Sequence, residues 1–527
     1  MAVTTLKEGN DITFSDMVDE MDFGESEIEK AFSGATVLLT GGTGFLGKLL
    51  IEKLLRSCPG IKKMFLLARP KKNKDPTKRL QEQFDEVLYD KLRKIQPDFI
   101  DKIQLVEGDI SHASLGISEQ DRQMISDEVD FIFHGAATVR FDESLKTAVA
   151  INVRGSREML TLARSCTKLR SYVHISTAYS NCTQNEIEEK FYESPLDGDK
   201  LIDLVENMDE NIIKNITPGL LGDFPNTYAY TKAVAEDIVR KHSVGLPVAL
   251  FRPSIVIATA EEPVAGWIDN VYGPTGVVVG AAVGLLRVIN CDLCAAADLV
   301  PGDMVVRACV AVAWRAACGG AGLANSEHAP ADVPPPVYNY VSAPDNPLTW
   351  HQYMKLNEIQ GLKVPPTQAI WCYLLVLTQT DMAYAIYSFF LHWVPAYIID
   401  AIAVVIGKKP MLKKAYRKIE KFSTVISYFS CRQWKFSNQN VQNLYKELCK
   451  ADRHNFNFNM SELDWDMYFH NHVRGIRLYL LKDPLDTVPQ GLRKQNMLKV
   501  ANYLLIAILG FVFVRLMWWI TKLVIGF

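Results

Sequence analysis

Short apolar runs recur through the first half of the chain, each closed by a turn or a helical pattern. They read ATVLLT (35–40), MFLLAR (64–69), IQLVEGDI (103–110), VDFIFHGAA (129–137), SYVHIST (171–177) and VALFRPSIV (248–256). Between the first two lies KLLIEKLLRS, whose apolar positions fall at helical spacing, and a charged helical pattern covers roughly residues 76–95. Strands alternating with helices predict an α/β fold with a doubly wound parallel sheet. A Gly-, Ala- and Pro-rich stretch at 318–336 then predicts a flexible loop. Beyond it the pattern turns mainly helical, with a strongly apolar, aromatic segment at 368–407.

The last apolar run, Val500 to Ile520, has 21 residues, interrupted by Asn502 and Arg515. That is long enough for a helix to cross a hydrocarbon core of about 30 Å. Arg515 lies near one end, where it can reach the interface, and Trp518 and Trp519 suit that depth. Arg493, Lys494 and Lys499 precede the run and favour a cytosolic catalytic side. A soluble amphipathic or interfacial helix is the competing reading. Segment 368–407 carries Asp381, His392, Pro395 and Asp400, so a membrane-contacting surface or the wall of an apolar tunnel suits it better than a clean span. The chain thus divides into a polar segment (1–30), an α/β domain with an extension (31–317), the loop (318–336), a helical domain (337–495) and a membrane anchor (496–527).

Charge changes little. Lys and Arg number 57 against 60 Asp and Glu, and this near balance argues against a nucleic-acid partner. The polar, acidic N-terminus lacks the basic and apolar regions of a secretory signal. Ten scattered cysteines form no disulfide framework, which points to a reducing compartment. The pair Cys291 and Cys294 has no partners at metal-ligand spacing, so buried thiols and no metal are expected.

The chemistry begins at Thr40-Gly41-Gly42-Thr43-Gly44-Phe45-Leu46-Gly47, between the first strand and the first helix. Gly41 permits a tight turn, Gly44 a close approach to a pyrophosphate, and Gly47 tight helix–strand packing. At the end of the second strand, where an acidic residue would select NAD, stand Arg69 and then Lys71 and Lys72. Their charges suit a 2′-phosphate and predict NADPH, against a plain solvated basic loop. Asp109 and Ile110 are placed for the adenine, and Ala136, Ala137 and Thr138 for close passage along the dinucleotide. His134 reads as a core or positioning residue. Pro253, Ile255 and Val256 in RPSIV are placed for the nicotinamide end.

Tyr228 and Lys232 stand four apart, on one face of a helix. A nearby ammonium would lower the phenol pKa and ease proton transfer. Thr177, with Ser176 as the alternative, ends a strand and can hydrogen-bond a reacting carbonyl. Tyr230 has no lysine at the helical offset.

TGGTGFLG, HGAAT, STAYSN and YAYTK together resemble an extended short-chain dehydrogenase/reductase. AATVRFDE (136–143), GWIDNVYGPTG (266–276), NPLTW (346–350), HWVPAYIIDAIAVVIGKKP (392–410) and LDWDMYFHNHVRGIRLYLLKD (463–483) narrow the resemblance to alcohol-forming fatty acyl-CoA reductases, over nearly the whole chain. The resemblance implies NADPH, a long-chain fatty acyl-CoA substrate, a primary alcohol product, and attachment to the endoplasmic reticulum membrane or, alternatively, the peroxisomal membrane. It also carries catalytic roles onto Tyr228, Lys232 and Ser176 or Thr177. Gly302 and Arg307 depart from the family pattern, where an apolar residue and an asparagine are expected, and both are expected near the substrate side. A reductase of sterols or other apolar carbonyls, an aldehyde-forming acyl-CoA reductase and a catalytically silent membrane scaffold are the competing readings. Membrane lipid is the other expected partner; oligomeric state is left open.

Overall fold

The computed structural model describes residues 24–69, 76–324 and 333–525. Seven parallel strands form the central sheet: β1 (Thr36–Thr40), β2 (Lys63–Ala68), β3 (Ile103–Glu107), β4 (Phe131–His134), β5 (Ser171–Ile175), β6 (Val248–Pro253) and β7 (Val337–Tyr340). Their order is β7-β6-β5-β4-β1-β2-β3, so the winding reverses between β1 and β4. In such sheets ligands bind at that crevice, beyond the carboxyl ends of the strands. All five residues of β1 are buried, which is why it reads as an unbroken apolar run and not as an alternation.

The helices that position the site are α1 (Phe45–Ser57), α2 (Thr227–His242), α3 (Gly273–Ala282) and α4 (Gly302–Ala324). The second half adds α5 (Trp350–Gly361), α6 (Asp381–Ser388), α7 (Val394–Val405), α8 (Leu412–Ser430), α9 (Trp465–Gly475) and α10 (Val488–Ile525).

Two expectations need correction. The loop expected from residue 318 is helical as far as Ala324, because α4 continues through the Gly/Ala run. Its earlier turns bury Val305, Val306, Val310 and Val312 in the core shared with β1, β5 and β6, and alanine favours continuing the helix. Nor does residue 337 open a separate helical unit. Val337 to Tyr340 return to the sheet and pair with Leu250 to Pro253 of β6. Asn339 then donates to the carbonyls of Ile187 and Ser437, and residues 435–436 pair with 186–187, so the two halves interlock.

The segment expected at 368–407 forms α6, a π-helical turn (Phe389–Trp393) and α7. Two of the polar residues that interrupt its apolar run, His392 and Asp400, are turned inward. His392 Nε2 accepts from the Arg287 N–H, and Asp400 accepts from the N–H groups of Met411, Leu412 and Lys413 and so caps the start of α8. Phe389, Phe390, Ile398, Ile402 and Val405 face outward. Two helical stretches, Asp381–Val405 and Leu485–Val524, are long and apolar enough to cross a membrane. Lys494 donates to the Thr367 carbonyl and Trp371 Nε1 to Asn502, so the first turns of α10 are seated on the protein. Beyond Val500, α10 is exposed almost throughout.

Candidate active site

The glycines sit where no side chain fits. Gly41 has φ +80°, and a Cβ there would lie 2.9 Å from the Ala136 nitrogen; one on Gly47 would lie 2.1 Å from the Gly41 carbonyl oxygen. Gly44 caps α1 with no side chain of its own, leaving the helix N–H groups open toward Thr43 and Gly44, which are both exposed. The residues therefore fit a dinucleotide pyrophosphate at this turn. Phe45 stacks on Trp267 at 5.3 Å, and Leu46 joins the core beneath.

Thr40 Oγ1 is 2.8 Å from His134 Nδ1 and accepts from the Ala136 N–H, which ties the end of β1 to the end of β4. Burial pushes His134 down to about 3, with Lys232 adding to the effect, so the ring is neutral and positions the loop. The Thr138 N–H donates to Asn152, whose amide in turn donates to the Thr138 carbonyl and to Thr231. Arg69 stands exposed at the end of β2, its Nε 3.9 Å from Asp109. Lys71 and Lys72 lie outside the described residues. Asp109 also accepts from Ser111, and Ile110 packs under Gly155. The Pro253 carbonyl accepts from the Ala178 N–H, while Ile255 and Val256 pair with Leu299 and Val300.

Tyr228 is brought to this crevice by α2, whose N-cap Asn226 accepts from the Ala229 N–H. Burial pushes the phenol up to about 12, and the facing Thr177 side chain pulls it partly back. The expected lowering by Lys232 is not found. Lys232 Nζ donates to the Ile175 carbonyl at 2.9 Å, and burial brings it down to about 8. Ser176, the alternative hydroxyl, is engaged elsewhere: its Oγ donates to Glu236 at 2.6 Å. Glu236 is held by Arg252 through Nε at 2.9 Å and Nη2 at 2.6 Å, and Asn181 donates to it as well. Thr177 is thus the hydroxyl that faces Tyr228. Tyr230 is buried against Phe224, away from that partner.

Phe141 lies 5.7 Å from the Tyr228 ring and 6.0 Å from Phe429 at the end of α8, and Tyr179 meets Phe429 edge-on. The second half of the chain therefore supplies one wall of the site. Glu236, Phe141, Phe429 and Asn152 were missed in the sequence, and Arg252 had no role there beyond its motif. Glu236 was detectable, since it lies one further helical step beyond Tyr228 and Lys232. Phe429 and Asn152, the latter in a π-helical stretch, carried no such signal.

Gly302 and Arg307 both meet neighbours on or next to α1. A Cβ on Gly302 would lie 2.8 Å from Leu49 and 3.0 Å from Phe45 of α1. Arg307 bonds Glu262 at 2.7 Å, Glu261 at 3.0 Å and the Asn457 carbonyl, and Glu262 also holds Lys53 and Arg56. The departures thus belong to the packing of α4 on α1. Among the described residues no His, Cys, Asp or Glu group is arranged for a metal; Cys291 is a buried free thiol and Cys294 an exposed one.

A switch-point crevice, a glycine turn heading a helix, and a Tyr–Lys pair beside a strand-end hydroxyl define a nicotinamide-dependent reductase of the extended short-chain type. A family model described as male sterility protein, of NAD-binding type, matches residues 39–309, and a second with the same description matches residues 391–483. The chain is 40% identical to "Fatty acyl-CoA reductase wat" of Drosophila melanogaster over 92% of its length and 91% of that protein. It is 37% identical to "Fatty acyl-CoA reductase 1" of Homo sapiens over 90% of each. It belongs to the fatty acyl-CoA reductase family. The fold is shared with the reductase domain of a nonribosomal peptide synthetase from Mycobacterium tuberculosis, at a TM-score of 0.54 and 20% identity, covering 87% of this chain and 97% of that one.

Proposed function

We propose that the chain reduces a long-chain fatty acyl-CoA to the primary alcohol, with NADPH as reductant and release of CoA. The observation that carries this reading is Tyr228 facing Thr177 at the end of β5, with Lys232 anchored on the same strand end. Thr40 to Gly47 would hold the pyrophosphate, Asp109 and Ile110 the adenine, Arg69 the 2′-phosphate, and Ala136 to Thr138 with Pro253, Ile255 and Val256 the nicotinamide side. The bound cofactor supplies hydride. Thr177 hydrogen-bonds the thioester oxygen and fixes its position. Tyr228, protonated at neutral pH, donates its proton to that oxygen. Collapse of the resulting hemithioacetal expels CoA and leaves an aldehyde, whose oxygen meets the same two hydroxyls for the second reduction. Lys232 holds a positive charge behind the tyrosine.

Alcohol formation, and not release of aldehyde, requires that the aldehyde stay bound between the two steps. The aromatic wall of Phe141, Phe429 and Tyr179 supports such retention. The enzyme is proposed to sit in the endoplasmic reticulum membrane through α10, its catalytic part on the cytosolic side. The test is product analysis with NADPH and a panel of acyl-CoAs. Two NADPH per CoA with alcohol as product is the expected result; one per CoA with aldehyde accumulating would refute it.

A further inference from the structure

An apolar cavity lies on the far side of α3 from the Tyr228 site. Val278 and Ala281 of α3, Met354 of α5, Leu375, and Val473 and Ile476 wall it. The space between them is mainly apolar and opens to solvent at its mouth. Gly276, on the opposite face of α3, meets Phe422 of α8, the helix that ends beside Phe141. Neither Tyr228, Thr177, Lys232 nor Phe141 lines the cavity.

Two buried side chains on its wall carry unpartnered polar atoms. Gln495 is 3% exposed, and neither its Oε1 nor its Nε2 has a hydrogen-bond partner. Asn357 is 7% exposed; its amide donates to the Tyr353 carbonyl, but its Oδ1 accepts nothing. Buried polar groups are seldom left unpaired, so three such atoms at one apolar cavity point to a ligand that pairs with them. Charge at the wall is already engaged. Arg477 is held by Asp483 at 3.1 Å, by Thr487, and by the carbonyls of Val364 and Pro365. Glu358 pairs with Lys355 at 3.0 Å. Gln495 stands on α10 just before that helix becomes exposed and apolar at Val500, so the cavity lies at the foot of the membrane helix.

We propose that this cavity binds one long-chain lipid with a neutral hydroxyl head, a primary alcohol by chemical class, reached from the bilayer along α10. A hydroxyl accepts from Gln495 Nε2 and donates to Gln495 Oε1 or Asn357 Oδ1. A carboxylate has no proton to donate, meets those two oxygens and Glu358, and finds no uncommitted cation on the wall. The assignment does not depend on the reaction proposed above, and its test needs no turnover.

The full chain in phosphatidylcholine nanodiscs is photolabelled with a diazirine analogue of hexadecanol. Label is expected in peptides spanning 354–375 and 473–495, with hexadecanol competing roughly tenfold better than hexadecanoate. Gln495→Leu, which removes only the unpartnered amide, should shrink that preference below about threefold with an unchanged circular dichroism spectrum. Ala281→Phe, which fills the cavity, should abolish the label there. Label confined to other peptides, equal competition by alcohol and acid, or an unchanged preference in Gln495→Leu would overturn the proposal.

Discussion

At the scale of single residues, the site rests on which hydroxyl each polar neighbour leaves free. Ser176 and Thr177 are adjacent in sequence and chemically alike, yet Glu236 takes the first and Tyr228 faces the second. Thr177→Ala should therefore lower kcat at least as steeply as a lost transition-state hydrogen bond, on the order of 100-fold. Ser176→Ala should act through the stability of the Glu236–Arg252 pair and leave kcat within a few fold. Equal losses in steady-state kinetics would contradict this division. Lys232 gives a pH dependence. Burial lowers its pKa to about 8, so the ammonium is present below that pH and lost above it. The kcat of the wild type is expected to fall as pH rises through about 8, and Lys232→Met should flatten that limb of the profile. Arg69→Ala should weaken NADPH binding by about 1.5–3 kcal/mol and leave NADH almost unaffected, since only NADPH carries the 2′-phosphate. Titration by nicotinamide fluorescence separates the two cofactors.

At the scale of elements, α1 and α4 are joined by a buried charge cluster beside their apolar packing. Burial raises the Glu262 carboxyl, but Lys53, Arg307 and Arg56 outweigh it and hold it below the usual carboxylate range. Arg307→Leu leaves Glu262 two of its three cations, so the loss should fall short of the 3–5 kcal/mol of a fully broken buried pair, at about 2–3 kcal/mol. The midpoint of denaturant unfolding reads it; a shift in KM for acyl-CoA without loss of stability would return Arg307 to the substrate side. Element boundaries show why local reading failed at 318. Glycine and alanine repeats are compatible with both loop and helix, and it is the packing of the preceding turns of α4 that selects helix.

At the scale of the whole molecule, two features follow from how the halves meet. The wall of Phe141 and Phe429 joins residues 288 positions apart in the chain, so the Tyr228 site exists only when both halves are folded. If apolar burial retains the aldehyde between reductions, each methylene should add roughly 0.8 kcal/mol to its residence. Short acyl-CoAs should then leak more free aldehyde than long ones, and trapping the aldehyde with a hydrazine reagent across a chain-length series measures it. Leakage independent of chain length would refute retention by burial.

The sequence by itself determined the parallel sheet, the glycine turn and the Tyr228–Lys232 face, because each rests on local pattern or spacing: short unbroken apolar runs for buried strands, a period of 3.6 for helices, and a Cβ-free backbone where the chain must pass close to itself. It also marked 500–520 as apolar enough to span a bilayer. Tertiary structure decided what depends on partners distant in sequence. It returned Val337–Tyr340 to the sheet, turned His392 and Asp400 inward, placed Phe429 against Phe141, and gave Ser176 to Glu236. It also set Tyr228 high in pKa, because desolvation by the folded surroundings outweighs the hydrogen bond with the Thr177 side chain.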